Sequence, residues 1–270
     1  MVRIHSGVSA AMHYRDNPGF EPFGMTDTNP KGPITCGGPV DRHAMVIRCL
    51  TDTSVGSVRR QEQCGGGNMD NVARRAQELP YHYDDPAIMG DQLAFQEELY
   101  RFNQLHPTDV HGKDKQLRRM FASIGDECHV EVPAHSNWGF HHVRMGRGVY
   151  CNVNFTCVDD ADITIGDWCL FGPNVVIATA GHPILPILRE HHYTYAIPVS
   201  IGSNVWVGAN VSILPGVTIG DNVVIGAGSV VDRDIPSDVV AVGVPCKVLR
   251  PIGQKDRDYY LRERRLDVHE

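Results

Sequence analysis

The sequence predicts an all-β core: a parallel β-helix of hexapeptide repeats, with a short helical N-terminal region and an extruded loop. Three observations carry this. Aliphatic residues recur at every sixth position from 201 to 231 (Ile201, Val207, Ile213, Ile219, Ile225, Val231). A second series follows four places later (Val205, Val211, Val217, Val223, Ser229), with glycine after most of the first (Gly202, Gly208, Gly220, Gly226). Counting back from 201 in the same phase reaches Ile165, Phe171 and Ile177, but the positions between are Pro183, Arg189 and Tyr195.

A period of six is too short for a helix–turn–helix unit and is not the period-2 alternation of an ordinary sheet. It suits a coil of short strands joined by tight turns, with three hexapeptides to a turn. Gly and Asn in "IGSN" and "IGDN" tolerate the left-handed backbone of such turns. An arginine cannot sit unpaired on the dry axis of a coil. The chain is therefore expected to leave the coil after about Ala178 and return at Ile201. His182, fixed beside Pro183, stands at the point of departure, and a loop projecting from a rigid scaffold is a usual place for chemistry.

The remaining elements follow in order. Residues 1–75 are rich in Gly, Pro, Asp and Thr around one apolar run, "HAMVIRCL", and read as a poorly structured extension with at most one strand. Their first fifteen residues are acid-free, as in transit peptides, but lack an h-region and an amphipathic face. Residues 76–125 form a helical packing region. Leu93, Phe95, Leu99, Phe102 and Leu105 recur at helical spacing before His106-Pro107, and a second short helix turns Leu117, Met120 and Phe121 inward before Gly125. Residues 126–252 are the β-helix with the loop at 178–200, and 253–270 are a C-terminal tail.

Composition narrows the function. Of 270 residues 42% are hydrophobic, enough for a core, and the net charge of −7 with no long basic run argues against general nucleic-acid binding. No run of 18 apolar residues suggests a membrane span. Eight scattered cysteines without a C-x-x-C pair read as reduced thiols of a cytoplasmic protein.

The segments "ATAGHP", "SIGSNVWVGANVSILPGVTIGDNVVIGAGSVV", "VPCKVLRPI" and "NVNFTCVDDADITIGD" resemble the galactoside and maltose O-acetyltransferases, over about Tyr81 to Tyr260. "FNQLHP", "VDD", "TAGHP" and "GVPC" place the galactoside branch nearest. The resemblance implies a left-handed β-helix, a homotrimer with sites between neighbouring prisms, and transfer of acetyl from acetyl-CoA to a sugar. It makes His182 the general base, a role for which histidine's ordinary pKa near neutrality is suited. It places Asn152, Asp160 and Asn137 against the acceptor, with Asn152 also near the developing oxyanion, and Trp206 as a wall beside it. Asn137 stands where the family usually has Ser or Asp. The family's acidic sugar-binding residue falls at Asp84 or Asp85, with Asp84 preferred.

For the cofactor's phosphates the resemblance offers Arg233, Lys247 and Arg250; for the pantetheine arm, Ala209 and Ala227. Asp232 replaces the usual Thr, so only its backbone is expected to contribute. His191 and His192 match no motif. No metal is expected. Two other readings stay open: a trimeric prism metalloenzyme of the carbonic-anhydrase type using His182, His191 and His192, and a catalytically silent scaffold.

Overall fold

The computed structural model describes residues 69–268. The N-terminal extension with its "HAMVIRCL" strand, and the transit-peptide reading, lie outside these residues except for the last few positions before 75.

From Ser123 onward the chain winds as a three-faced parallel coil. The first face contains, among others, Tyr150–Cys151, Leu170–Phe171, Trp206–Val207 and Val224–Ile225. The second contains His135–Ser136, Thr156–Val158, Val176–Ala178, Ser212–Ile213 and Val230–Val231. The third contains Ser123–Ile124, Val143–Met145, Ile163–Ile165, Val199–Ile201 and Thr218–Ile219. Register gives the repeat directly: Trp206 pairs with Val224, Ser200 with Thr218 and Ser212 with Val230, each 18 residues on. Three hexapeptides therefore make one turn.

Both six-residue series point inward. Ile201, Val207, Ile213, Ile219, Ile225 and Val231 are buried, and so are Val205, Val211, Val217, Val223 and Ser229. The corner turns are held by left-handed asparagines at Asn154, Asn174, Asn204, Asn210 and Asn222. Their side chains form ladders along the prism: Asn154 donates to Asn174 (2.9 Å), Asn174 to Asn210 (3.0 Å) and Asn222 to Asp238 (2.8 Å). Coils approach so closely at the glycines that a Cβ on Gly208 would meet the Ala227 nitrogen at 2.6 Å. Aliphatic burial sets each face and asparagine sets each corner.

One turn is longer. Leu170 pairs with Trp206, 36 residues on, twice the regular length. The surplus is the excursion expected from Arg189. The chain leaves after Ala178 and rejoins at Val199. The excursion is ordered by an antiparallel pair, Ala180–Gly181 with Tyr193–Ala196, and a short helix at Pro186–Glu190 lies between. Tyr81–His82 adds as a third strand, so the segment before the coil is tied to the excursion.

Four helices precede the coil: α1 (Asn71–Ala76), α2 (Pro86–Met89), α3 (Gln92–Asn103) and α4 (Val110–Met120). Helix α1 straddles the expected boundary at residue 75. Helices α3 and α4 bury Leu99, Phe102, Leu117 and Met120 against the first coils, with Phe121 just beyond. Leu93 departs from its helical spacing: it is 83% exposed, because the side of α3 that meets the coil runs through Leu99 and Phe102. At the other end, Lys247–Pro251 folds back antiparallel on Val239–Val242, and the tail forms a short helix and a hairpin.

Candidate active site

Where the chain leaves the coil, a cavity of about 380 Å³ opens between the excursion and the segment that precedes the coil, lined by Tyr81, Tyr83, Asn137, Trp138, Asp160 and His182 among others. His182 follows the Ala180–Gly181 strand and is exposed. Its Nδ1 lies 3.1 Å from the Tyr193 carbonyl oxygen. A carbonyl can only accept, so Nδ1 carries the proton and Nε2 is left with its lone pair. That is the tautomer a base needs. The Tyr83 ring meets the His182 ring edge-on at 6.0 Å.

Asp160 and Asn137 sit on the same corner, between the second and third faces. Asn137 Nδ2 donates to Asp160 Oδ2 (2.9 Å) and Trp138 Nε1 to Oδ1 (3.2 Å). Each carboxylate oxygen keeps acceptor capacity for hydroxyl groups in the cavity. Tyr81 is buried at the back, its phenol pushed up to about 12 by burial and the Asp160 charge, opposed by Arg75.

The other expected acceptor residues are placed elsewhere. Asp84 does not line this cavity: it pairs at the rim with His192, whose Nδ1 lies 2.6 Å from Oδ2. The His192 hydrogen bond holds the Asp84 carboxyl below the usual carboxylate range, and His192 also stacks on Tyr83 at 5.3 Å. His192, which matched no motif, thus belongs to the rim. Asp85 is used within the fold: it caps α2 through Ala87 N (2.8 Å) and accepts from Asn71 (2.6 Å). Asn152 lies on the corner between the first and second faces, its Oδ1 accepting from Val153 N (2.8 Å). Trp206 projects from the first face, 56% exposed, in line with Leu170.

The cofactor candidates divide likewise. Ala209 and Ala227 stack on Asn152's corner, one coil apart. Asp232 and Arg233 follow Val230–Val231 on the second–third corner, and Lys247 and Arg250 lie in the antiparallel strand that closes the first face. Two of the three cations already hold carboxylates. Arg233 grips Asp232 (2.9 and 3.1 Å), which keeps that carboxyl below its usual range with a smaller contribution from Lys247. Arg250 makes a bidentate pair with Asp256 (2.7 and 2.7 Å), lowering the Asp256 carboxyl to about 2. Lys247 has no ion pair among the described residues, so of the three candidates it is the one with no carboxylate to displace.

Sequence reasoning missed Arg75, Trp138 and Asp159. Arg75 had no local signal; Trp138 and Asp159 adjoin motif residues, and adjacency was the only signal for them. Among the described residues of one copy no three His, Cys, Asp or Glu side chains are grouped as metal ligands would be.

Comparison with known proteins fits this geometry. Residues 198–233 match the family described as bacterial transferase hexapeptide (six repeats), and residues 75–125 match the maltose acetyltransferase hexapeptide capping motif. A galactoside O-acetyltransferase of Escherichia coli (strain K12) is 46% identical over 169 residues, 63% of this chain and 83% of that protein. The chain belongs to the hexapeptide-repeat galactoside and maltose O-acetyltransferase family. Within it, a galactoside O-acetyltransferase of Lactococcus lactis subsp. lactis (strain IL1403) is 43% identical over 195 residues, 70% of this chain and 94% of that one. A solved galactoside acetyltransferase in complex with coenzyme A superposes with a TM-score of 0.72 at 40% identity, covering 74% of this chain and all (100%) of that one. Residues 1–68 lie outside the two family matches.

Proposed function

We propose that this acetyl-CoA-dependent O-acetyltransferase acetylates a hydroxyl of a sugar, a galactoside, maltose or a similar acceptor, by direct transfer with His182 as general base. The observation that carries the assignment is the His182 tautomer: Nδ1 donates to the Tyr193 carbonyl, so Nε2 offers its lone pair beside a cavity that also holds Asp160 and Asn137. Nε2 takes the proton of the acceptor hydroxyl as its oxygen attacks the thioester carbonyl. When the tetrahedral intermediate collapses, the C–S bond breaks and the same proton passes to the departing sulfur. No acetyl-enzyme forms, and the histidine ends as it began.

Asp160 accepts hydrogen bonds from acceptor hydroxyls, with Asn137 beside it, and this recognition rejects analogues that lack the hydroxyls. Asp84 serves the acceptor at the rim, held by His192. Asn152 donates toward the oxyanion, Trp206 walls the acceptor, and Ala209 and Ala227 leave room for the pantetheine arm. Lys247 and Arg250 meet the phosphates, with Arg233 and the backbone of Asp232.

His182 and Asp160 lie on one corner of the prism; Asn152, Ala209 and Ala227 lie on another. A homotrimer reconciles them: a ring of three copies apposes the His182 corner of each to the Asn152 corner of the next. The exposed Leu170 and Trp206 give that association apolar surface to cover. The five cysteines of the described residues are free thiols, and no helix there is long and apolar enough to cross a membrane. Free thiols fit a reducing, cytoplasmic setting. The test is thiol release from acetyl-CoA over a panel of galactosides, maltose and glucose, with the acetylated product identified by NMR. Release that depends on one sugar class names the acceptor; release with none of them, alongside intact CoA binding, refutes a sugar acceptor.

A further inference from the structure

The acceptor carboxylate Asp160 is held inside a frame of groups that do not themselves reach the cavity. Its neighbour Asp159 is wholly buried, with one oxygen engaged twice: Ser136 Oγ donates to Oδ1 (2.6 Å) and so does Trp138 N (2.9 Å). Ser136 Oγ in turn accepts from Phe140 N (2.7 Å). The turn from 136 to 140, which contains left-handed Gly139 and Phe140, is therefore folded around the Asp159 carboxyl. That turn carries Asn137 and Trp138, the two residues that grip the Asp160 side chain.

From the other side comes Arg75 of α1. Its Nε donates to the Asp160 backbone oxygen (2.8 Å), its Nη2 binds the same oxygen, and its guanidinium lies over the Trp138 ring at 5.0 Å. The guanidinium thus touches both the main chain of Asp160 and the indole that donates to its carboxylate.

We propose that Asp159 and Arg75 are positioning residues for acceptor binding: together they set the position and orientation of the Asp160 carboxylate without contacting acceptor or acetyl-CoA. The proposal rests on the reading of Asp160 as an acceptor ligand. A frame of this kind matters because a carboxylate that must accept from particular hydroxyls loses much of its selectivity when displaced by an ångström. Loss of either support lets the 136–140 turn and Asp160 relax independently. The acetyl-CoA groups lie on another corner, at the closing strand or, for Asp232 and Arg233, coils further along the same corner after Val230–Val231, and are untouched.

The experiment measures kcat, acceptor KM and acetyl-CoA KM for Asp159→Ala, Asp159→Asn, Arg75→Met and Asp160→Ala, with thermal unfolding of each. The expected result is a rise in acceptor KM of about tenfold for Asp159→Ala and Arg75→Met, a larger rise for Asp160→Ala, and an unchanged acetyl-CoA KM. Asp159→Asn retains the Oδ1 acceptor and stays within about twofold of wild type. If Asp159→Ala does not fold, Arg75→Met, on a surface helix, carries the test alone. A raised acceptor KM for Asp160→Ala, with none for Arg75→Met and Asp159→Ala, overturns the proposal and leaves the acceptor reading standing. An unchanged acceptor KM for Asp160→Ala overturns that reading, and the proposal with it.

Discussion

Two variants of this chain, each inactive alone, are expected to make active sites when mixed. His182→Ala removes the base from one corner, and Asn152→Ala removes an oxyanion donor from the corner between the first and second faces. Deleting a general base or an oxyanion donor lowers turnover by about 10²-fold or more, so each variant alone retains about one hundredth of wild-type activity. In the proposed ring of three, each site pairs the His182 corner of one copy with the Asn152 corner of the next. A site is intact when the first copy has kept His182 and the second has kept Asn152. In a ring that holds both variants this is true of one site in three, so the mixed rings regain about a third of wild-type activity, roughly 30-fold above either parent. The assay is co-expression of the two variants under different tags, tandem purification from the mixed pool, and thiol release from acetyl-CoA with a saturating acceptor. A mixed preparation no more active than the mean of its parents would refute the reasoning, because it would mean that both corners of one copy serve the same site.

Other outcomes follow from single residues. Ile213→Ala, at a fully buried position on the coil axis, lowers unfolding free energy by about 2–5 kcal/mol in urea titration. Gly208→Val drives a side chain toward the Ala227 backbone, 2.6 Å from the first added carbon; it lowers the melting temperature and raises acetyl-CoA KM more than acceptor KM. Thr179 is buried and its hydroxyl accepts from Ala161 N (2.9 Å), while the Val158 oxygen takes both that hydroxyl (2.7 Å) and the Thr179 N–H (3.0 Å); Thr179→Val therefore strands the Ala161 N–H next to Asp160 at about 1–3 kcal/mol, read by denaturant unfolding. Burial raises the Asp159 carboxyl above the usual carboxylate range. The folded chain then binds the proton more tightly than the unfolded one, so this contribution to stability is complete below the ordinary aspartate pKa of about 3.9 and declines as pH rises through the folded value. Asp159→Asn removes that part of the pH dependence, measured by unfolding across the acid range.

What the residues disclosed in advance depended on how local the determining interactions are. The coil was legible because one buried aliphatic per six residues is a property of consecutive sequence, and every position of that series is buried. The excursion was legible from a contradiction, since Arg189 falls in phase and cannot occupy a dry axis. Its internal order was not legible. Tyr193–Ala196 pairs with Ala180–Gly181 nearby but also with Tyr81–His82, far upstream, and no periodicity links strands so separated. The candidate site divides in the same way. His182 stood out because it adjoins a break in a rigid repeat and a recognisable "TAGHP". Arg75 did not, because its partners Asp160 and Trp138 are distant in sequence and α1 is a short helix in a Gly- and polar-rich neighbourhood. Helical spacing placed Leu93 with Leu99 and Phe102, but which side of a helix meets the core is decided by the neighbour it packs on, and Leu93 is left in solvent.

The central claim is that His182 accepts the acceptor's proton during transfer. The most direct measurement is sugar-dependent thiol release from acetyl-CoA by wild type and His182→Ala at saturating substrates, with binding of acetyl-CoA checked separately. A fall of about 10²-fold or more with binding retained is the predicted result. Release unchanged by the substitution would contradict it.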